Sequence, residues 1–176
     1  ERRRYMAGVG GATCTHELKR VPRELFERPS DLHVFGYTLE EVDRALRFEQ
    51  QNPDMHVDWI LIEQLVTKRE CLNMLGAAGI AMPAMYGLGF EHNNCIGCVK
   101  STSPNYWNRT RDHFPTVFDR RARQSRLLGV KLVRLNGERV YLDQLPRDAF
   151  SLDGDGEIDC GPVCQMPLDF GKRGGL

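Results

Sequence analysis

The sequence predicts an α/β fold. Segments with helical periodicity alternate with short runs rich in β-branched and aromatic residues, in the order helix, strand, helix, strand, helix, loop and further helices. At 176 residues the chain has the length of one domain, and its 41% hydrophobic and 27% charged residues are ordinary for a globular protein. A parallel sheet would need more strands than these, so we expect the missing strands upstream of Glu1.

In the first half of the chain, capping motifs and β-rich runs define the predicted elements. A basic and then glycine-rich loop over residues 1–13 leads into the first helix. Thr38 with Glu41, and Thr67 with Glu70, have the spacing of capping boxes and each opens a helix. The predicted elements are a helix near Cys14–Phe26, a buried strand at Leu32–Tyr37, a helix to about Gln51, a strand at Val57–Ile62 and a helix through Gly76.

In the second half, proline and glycine mark the element ends. A loop over residues 81–89 leads to helices near Pro104–Asp112 and Pro115–Leu128, the second of which begins with proline and ends before glycine. Asn136-Gly137 between two apolar runs predicts a β-hairpin with a type I′ turn. We therefore expect an α/β domain over residues 1–150 and a cysteine-containing tail over residues 151–176, with a solvated acidic turn near its start rather than a calcium loop.

Charge and hydropathy exclude some function classes. Lys and Arg number 24, as do Asp and Glu, so the chain lacks the basic excess of a general polyanion binder. No apolar run is long enough to span a bilayer and no signal segment is evident, so we expect no membrane partner and a cytoplasmic location. Because thiols stay reduced there, metal binding or catalysis is favoured over disulfides for the cysteines.

The cysteines are the best indication of function. They form a C-x-x-C pair, a C-x-x-x-C pair and two isolated positions, namely Cys95 and Cys98, Cys160 and Cys164, and Cys14 and Cys71. Thiolates at these spacings can complete a four-sulfur site for zinc or an iron–sulfur cluster. Alternatively, Cys14 is a small buried hydrophobe and only the C-x-x-C is special. Cys160 and Cys164 could be ligands, a nucleophile or a staple for the tail, whereas Cys71 is expected in the core.

Several basic residues are candidates for oxyanion contacts. Lys19 and Arg20 follow Cys14 closely, and Arg44 lies on the helix after Gly36. A helix carrying four arginines is expected to be solvated, with a polyanion contact as the alternative; these are Arg120, Arg121, Arg123 and Arg126. Residues 101–104, directly after the C-x-x-C, could cap the next helix or point donors at an anion.

Together these motifs resemble a known family, the assimilatory adenylyl-sulfate and phosphoadenylyl-sulfate reductases. Cys14–Lys19 is similar to the family's Cys-Cys-x-x-Arg-Lys segment, and Gly36–Thr38 followed by Arg44 to its glycine-then-arginine stretch. Met85–Cys98 resembles its Leu-Tyr-x-x-Gly-Tyr segment followed by Gly-Cys-x-x-Cys, and Asp159–Gly161 its tail motif Glu-Cys-Gly-x-His. The Asn93–Trp107 stretch and the Arg120–Arg126 helix look most like phage and bacterial reductase-like proteins of uncertain substrate. The resemblance spans nearly the whole chain.

The resemblance implies the C-terminal part of an adenine-nucleotide-α-hydrolase-like, doubly wound fold with a 4Fe-4S cluster. Cys14, Cys95 and Cys98 would then bind the cluster, with Cys164 as the fourth ligand and zinc as the alternative metal. Cys160 would attack the sulfate of a bound sulfonucleotide, and thioredoxin or glutathione would resolve the adduct. The resemblance thus implies a sulfonucleotide reductase-like oxidoreductase of sulfur metabolism.

Three departures from the family pattern leave other functions open. Thr15 replaces the second cysteine of the pair, Val163 replaces the tail histidine, and the Ser-Gly-Gly phosphate loop is missing, so we expect an upstream half to carry it. In this reading Lys19, Arg20 and Arg44 contact the phosphate or sulfate of ATP or a sulfonucleotide. The alternatives are an ATP-dependent enzyme that thiolates or modifies tRNA or DNA, and a non-enzymatic, zinc-stabilised binding or assembly module.

Overall fold

The structure, a computed structural model, describes Met6, residues 13–156 and Ile158. Two compact units lie within this part of the chain, one formed by residues 16–82 and the other mainly by residues 83–156. Helices and small sheets occur together, so the mixed helix-and-sheet class is confirmed, while the doubly wound family fold stays a prediction. The division expected at residue 150 also stays a prediction. No helix in the described ranges is long and apolar enough to cross a membrane.

The first unit contains a short βαβ arrangement. Strands β1 (Leu32–Val34) and β2 (His56–Asp58) pair in parallel, with Leu32 opposite His56, and helix α1 (Val42–Gln51) connects them. The helical stretch before β1 consists of a π-helical turn at His16–Arg20 and Val21–Phe26, and it follows a helical turn at Thr13–Thr15 that is assigned to the other unit; a helix near Cys14–Phe26 was predicted. The later helices are α2 (Ile60–Glu63) and α3 (Lys68–Ala77).

Both predicted capping boxes are confirmed. The Thr38 amide donates to Glu41 Oε2 at 3.2 Å, ahead of a 3-10 turn at Leu39–Glu41 that continues into α1. The Thr67 amide donates to Glu70 Oε2 at 2.8 Å, and the Glu70 amide donates back to Thr67 Oγ1 at 3.2 Å. These reciprocal bonds satisfy donors that the first helical turn leaves unpaired, which is why the two helices begin where the sequence predicts.

Two strand predictions are wrong in part. Leu32 and Val34 are 60% and 58% exposed, so β1 is not buried, because alternate side chains of a strand point to opposite faces and only His33 points inward. The predicted strand Val57–Ile62 ends at Asp58, and Ile60–Glu63 is helical. Trp59 and Ile62, one helical turn apart, both join the unit's aromatic core, so helical periodicity prevailed over β propensity.

The aromatic core of the first unit is built around Phe48, which is fully buried. The rings of Phe35 and Tyr37 stack on Trp59 at 5.1 Å, and Trp59 meets Phe48 edge-on at 5.8 Å. The Trp59 indole donates to Glu49 Oε1 at 2.5 Å, so its polar edge is satisfied. Offset and edge-on ring contacts of this kind stabilise a small core beyond the area that they bury.

The second unit is built on two consecutive helices and a hairpin. Helices α5 (Pro104–His113) and α6 (Pro115–Leu128) meet at Phe114, after a short helix α4 (Ala84–Gly87) inside the predicted loop. Strands β3 (Val133–Leu135) and β4 (Glu138–Val140) pair antiparallel. The turn residues between them have φ of 50° and 84°, which confirms the predicted primed turn. The core of this unit includes Trp107, Tyr106, Leu132, Val133, Leu142 and Cys98.

Candidate metal centre

The C-x-x-C forms a tight turn that presents one thiol to solvent and buries the other. Cys95 is exposed and Cys98 is 8% exposed. The Cys98 amide donates to the Cys95 carbonyl at 3.1 Å, and Gly97 closes the turn at φ +68°. Only glycine adopts that conformation without strain, so the glycine in the motif serves the turn itself. A second turn follows directly, with the Ser101 amide donating to the Cys98 carbonyl at 3.1 Å.

Helix α5 holds the turn through the phenol of Tyr106. The Tyr106 hydroxyl donates to the Cys95 carbonyl at 2.7 Å and accepts from the Cys98 amide at 2.7 Å. Burial raises the pKa of Tyr106 to about 12, so the phenol keeps its proton at neutral pH and remains a donor. Ser103 caps α5 by accepting from the Asn105 amide at 3.1 Å, so the capping alternative for residues 101–104 is confirmed.

Helix α6 holds the same turn from Gly97. Arg121 Nε donates to the Gly97 carbonyl at 3.0 Å, and Arg121 Nη1 donates to Gln124 at 2.9 Å. A β-carbon at residue 97 would lie 2.5 Å from Val117 Cγ1, so the Val117 side chain leaves no room for any residue larger than glycine at this turn. The turn is therefore fixed by two helices at three backbone groups, one of which accepts from the Arg121 guanidinium.

Of the four cysteines predicted to bind a metal, the described residues include three, and only Cys95 and Cys98 share one turn. Among residues 13–156 with Met6 and Ile158, no three His, Cys, Asp or Glu side chains form a group that could hold a metal ion. Cys14, which is exposed, is thus not grouped with Cys95 and Cys98. Cys160 and Cys164 lie outside the described residues. The donor chemistry of the pair fits zinc or an iron–sulfur cluster, and the identity of the remaining ligands stays a prediction.

The predicted oxyanion contacts mostly have acidic neighbours. Arg20 Nε lies 2.5 Å from Glu24 Oε1, and Arg44 Nη1 lies 2.6 Å from Glu41 Oε1. The Arg44 guanidinium also lies 4.6 Å from the centre of the Tyr37 ring. The spacings of three and four residues between these charges were visible in the sequence and could have indicated helix-surface ion pairs. Lys19 is exposed within the π-helical turn, and the oxyanion role of all three cations stays a prediction.

The four arginines of helix α6 differ in their exposure and in their binding partners. Arg121 binds the C-x-x-C turn, as described above. Arg126 pairs with Asp143 at 2.9 Å and stacks on Tyr141 at 4.0 Å from the ring centre. Arg120 and Arg123 are exposed. The solvated interpretation therefore holds for part of this face, and a nucleic-acid contact stays untested.

Sequence reasoning missed Tyr106, which fixes the turn, and it also missed Asp155 with its partners Glu91 and Arg109. Asp155 was predicted to lie in a solvated turn, but it is 2% exposed, so that prediction is wrong for this residue. It is buried because it pairs with Arg109 and accepts from the Glu91 amide at 2.9 Å. These partners are 46 and 64 residues away in sequence, so no local pattern could have identified them.

Comparison with known proteins identified no similar protein. No protein-family model, curated protein or solved structure matches the chain. The family resemblance, the substrate class and the cofactor thus stay predictions.

Proposed function

We propose that the chain is a phosphoadenylyl-sulfate reductase-like iron–sulfur protein that carries out sulfur chemistry on an adenine nucleotide. The observation that carries this proposal is the C-x-x-C turn, which two helices fix in place with one thiol exposed and one buried. Such a turn offers two preorganised soft ligands, and preorganised ligands lose little conformational entropy when a metal binds.

Helix α6 and helix α5 both support the turn that would carry the metal. Metal ligation requires thiolates, and Arg121 fixes the backbone between the two cysteines by donating to the Gly97 carbonyl. Tyr106 contributes differently, since its phenol occupies the Cys95 carbonyl and the Cys98 amide and so fixes the backbone that carries both sulfurs. When bound, the metal centre would offset part of the negative charge of the thiolates that hold it and tie them together at one point.

In this proposal Cys95 and Cys98 are the first two ligands, and Cys14 and Cys164 complete the set. Cys160 is the nucleophile: its thiolate forms a bond to the sulfate sulfur while the bond from that sulfur to the phosphate oxygen breaks, and the nucleotide leaves with the electron pair. A partner dithiol such as thioredoxin then attacks the Cys160 sulfur, releases sulfite and becomes oxidised in restoring the thiol. Lys19, Arg20 and Arg44 are the proposed contacts of the nucleotide's anionic groups.

Metal analysis under anaerobic conditions tests the proposal. We expect bound iron and sulfide with visible absorption, both lost in Cys95→Ser and Cys98→Ser. Cys71→Ser is the matched control, because Cys71 is a half-buried cysteine on α3 in the other unit. Iron and absorption that persist in both C-x-x-C variants would contradict the assignment.

The metal found also separates the alternatives. A colourless protein with zinc bound to the same cysteines would indicate the zinc-stabilised module instead. Iron together with salt-sensitive binding of tRNA or DNA would indicate a nucleic-acid thiolation enzyme, in which Arg120 and Arg123 are the first residues to replace.

A further inference from the structure

Basic residues are concentrated in one stretch of the second unit. Residues 120–139 contain seven Lys and Arg and a single Asp or Glu, whereas the whole chain has 24 of each class. The stretch covers most of α6 and most of the β3–β4 hairpin. The net charge of zero therefore conceals a strongly basic segment, and local charge of this kind attracts anionic partners.

The outer face of the hairpin carries two arginines directly opposite each other. Arg134 on β3 pairs in register with Arg139 on β4, and both residues are exposed. The neighbouring cross-strand pair, Val133 with Val140, points to the other side of the sheet, where Val133 is fully buried. The β-carbons of directly opposed residues lie about 4.5–5.5 Å apart, so like charges at such positions weaken a hairpin. A bound anion would reverse that effect.

Within the part of the chain that the structure describes, no carboxylate neutralises either arginine. Arg139 Nη1 donates to the Leu132 carbonyl, a neutral acceptor, at 2.9 Å, and the Arg134 side chain makes no hydrogen bond or ion pair with a described residue. Glu138, the single acidic residue of the stretch, is paired with Leu135 and so lies on the opposite side of the sheet from the arginines. Most N–H donors of the two guanidinium groups are therefore available to an external acceptor.

The positive charge continues from the hairpin to the end of α6 through Tyr141. This residue is extended and lies two positions after Arg139, so both side chains are on the same side of the chain. The Arg126 guanidinium lies 4.0 Å and the Lys131 ammonium 5.8 Å from the centre of the Tyr141 ring. Asp143 neutralises part of the Arg126 charge at 2.9 Å, whereas Lys131 is exposed and has no acidic partner among the described residues.

These cations form a continuous row together with Arg123, which is exposed one helical turn before Arg126. Steps along the row correspond to a helical turn, a cross-strand pair or two strand residues, which are all about 5–7 Å. We call this surface the basic stripe, and its residues are Arg123, Arg126, Lys131, Arg134 and Arg139. A row of single charges suits a linear polyanion, because one small anion would contact only part of it.

The composition of the basic stripe favours a nucleic-acid backbone over an anionic membrane. Four of its five cations are arginines, whose planar guanidinium can bind a phosphodiester through two parallel hydrogen bonds. Within strands β3 and β4, the residues on the outer face are Arg134 and Arg139. This face therefore presents no apolar side chain to bury between lipids, and interfacial membrane binding depends on such burial.

We propose that the basic stripe binds the sugar-phosphate backbone of a nucleic acid, DNA or RNA. Because phosphates are the same in every sequence, the expected binding is not sequence-specific. The inference goes beyond the proposed function and needs no metal centre. Nucleic-acid binding in a chain that also holds iron would favour the nucleic-acid alternative named above.

The measurement is the fluorescence anisotropy of labelled duplex DNA and labelled single-stranded RNA as a function of salt concentration. The slope of log K against log salt is about −0.9 for each phosphate contact on a duplex and about −0.7 on a single strand. Arg134→Gln/Arg139→Gln should therefore make the duplex slope less steep by about 1.8. If these two contacts contribute nothing at about 1 M salt, duplex binding at about 0.1 M salt weakens roughly sixtyfold.

Arg47→Gln/Arg69→Gln is the matched control, because it removes the same charge from exposed arginines on α1 and α3 of the other unit. Its slope should equal that of the unmodified chain. Arg134→Gln alone covers the case in which loss of the bond from Arg139 to the Leu132 carbonyl disturbs the hairpin. It should change the duplex slope by about 0.9. Removing one of two opposed like charges should not lower the urea midpoint of unfolding.

Weaker binding and a less steep slope in the hairpin variants, but not in the control, support the inference. Equal changes in the hairpin variants and the control overturn it, and so does a lack of binding to both probes at low salt. Binding to phosphatidylserine vesicles without binding to either probe also overturns it, because the partner would then be a membrane. Iron measured on the same samples separates the two proposals, since Arg134→Gln/Arg139→Gln should keep its iron and Cys95→Ser should keep its slope.

Discussion

Replacing Gly97 by alanine tests whether the C-x-x-C turn depends on its contact with α6. The substitution has two costs, since residue 97 has φ +68° and a β-carbon there would lie 2.5 Å from Val117 Cγ1. The left-handed conformation costs a non-glycine residue about 1–2 kcal/mol. Val117 cannot rotate away freely, because a β-branched side chain on a helix has one strongly preferred rotamer, and such overpacking typically costs about 1–3 kcal/mol. We expect a total loss of about 2–5 kcal/mol in the free energy of unfolding.

Gly129→Ala is the control for the cost of placing a non-glycine residue in the left-handed backbone conformation. Gly129 ends α6 with the same φ of +68°, and nothing lies within 4 Å of its β-carbon position, so about 1–2 kcal/mol is expected there. Urea unfolding followed by fluorescence can report on this unit if Trp59 of the other unit is replaced by phenylalanine, because Trp107 is then the only tryptophan. In the double variant Gly97→Ala/Val117→Ala the steric clash is removed, so the part of the unfolding free energy lost to that clash should be recovered. Equal losses for Gly97→Ala and Gly129→Ala would refute the close contact between turn and helix.

Two further predictions concern residues that surround the turn. The pKa of Tyr106 is raised from 10.0 in the unfolded chain to about 12 in the folded one, so the unfolded chain loses this proton first as the pH rises. The metal-free protein should therefore lose about 2–3 kcal/mol of stability between pH 10 and 12, and this group should cause no loss below pH 10. Urea unfolding across that range checks this, and Tyr106→Phe should abolish the difference; an unchanged pH dependence in that variant would contradict the assignment. Ser101 is 1% exposed, and its hydroxyl has no hydrogen-bond partner among the described residues. Ser101→Ala should therefore leave the free energy of unfolding unchanged or raise it by up to about 1 kcal/mol, and a loss above that size would show that the hydroxyl is satisfied in solution.

Local signals in the sequence predicted much of the fold because they act over a few residues. The two capping boxes, the proline that opens α6, the glycine that ends it and the Asn136-Gly137 turn each satisfy or constrain backbone groups within one turn of chain. The errors concern burial, which depends on what packs against a segment. Leu32 and Val34 have the composition of a buried strand, yet their face of the two-stranded sheet is exposed. Asp155 has the composition of a solvated loop, yet Arg109 and Glu91 make its burial favourable.

The same distinction separates what the sequence could predict about the site from what it could not. The C-x-x-C spacing and its glycine identify the turn, but the groups that fix it, Tyr106 and Arg121, come from two different helices and carry no motif. Their contacts are made to backbone atoms of the turn, so many sequences around the cysteines would accept the same support. It follows that the geometry of the thiols is set by helix packing as much as by the motif. A variant that shifts α6 should then alter metal binding although both cysteines are intact. Measuring the metal affinity of Gly97→Ala as well as its stability separates the contribution of helix packing from that of the motif.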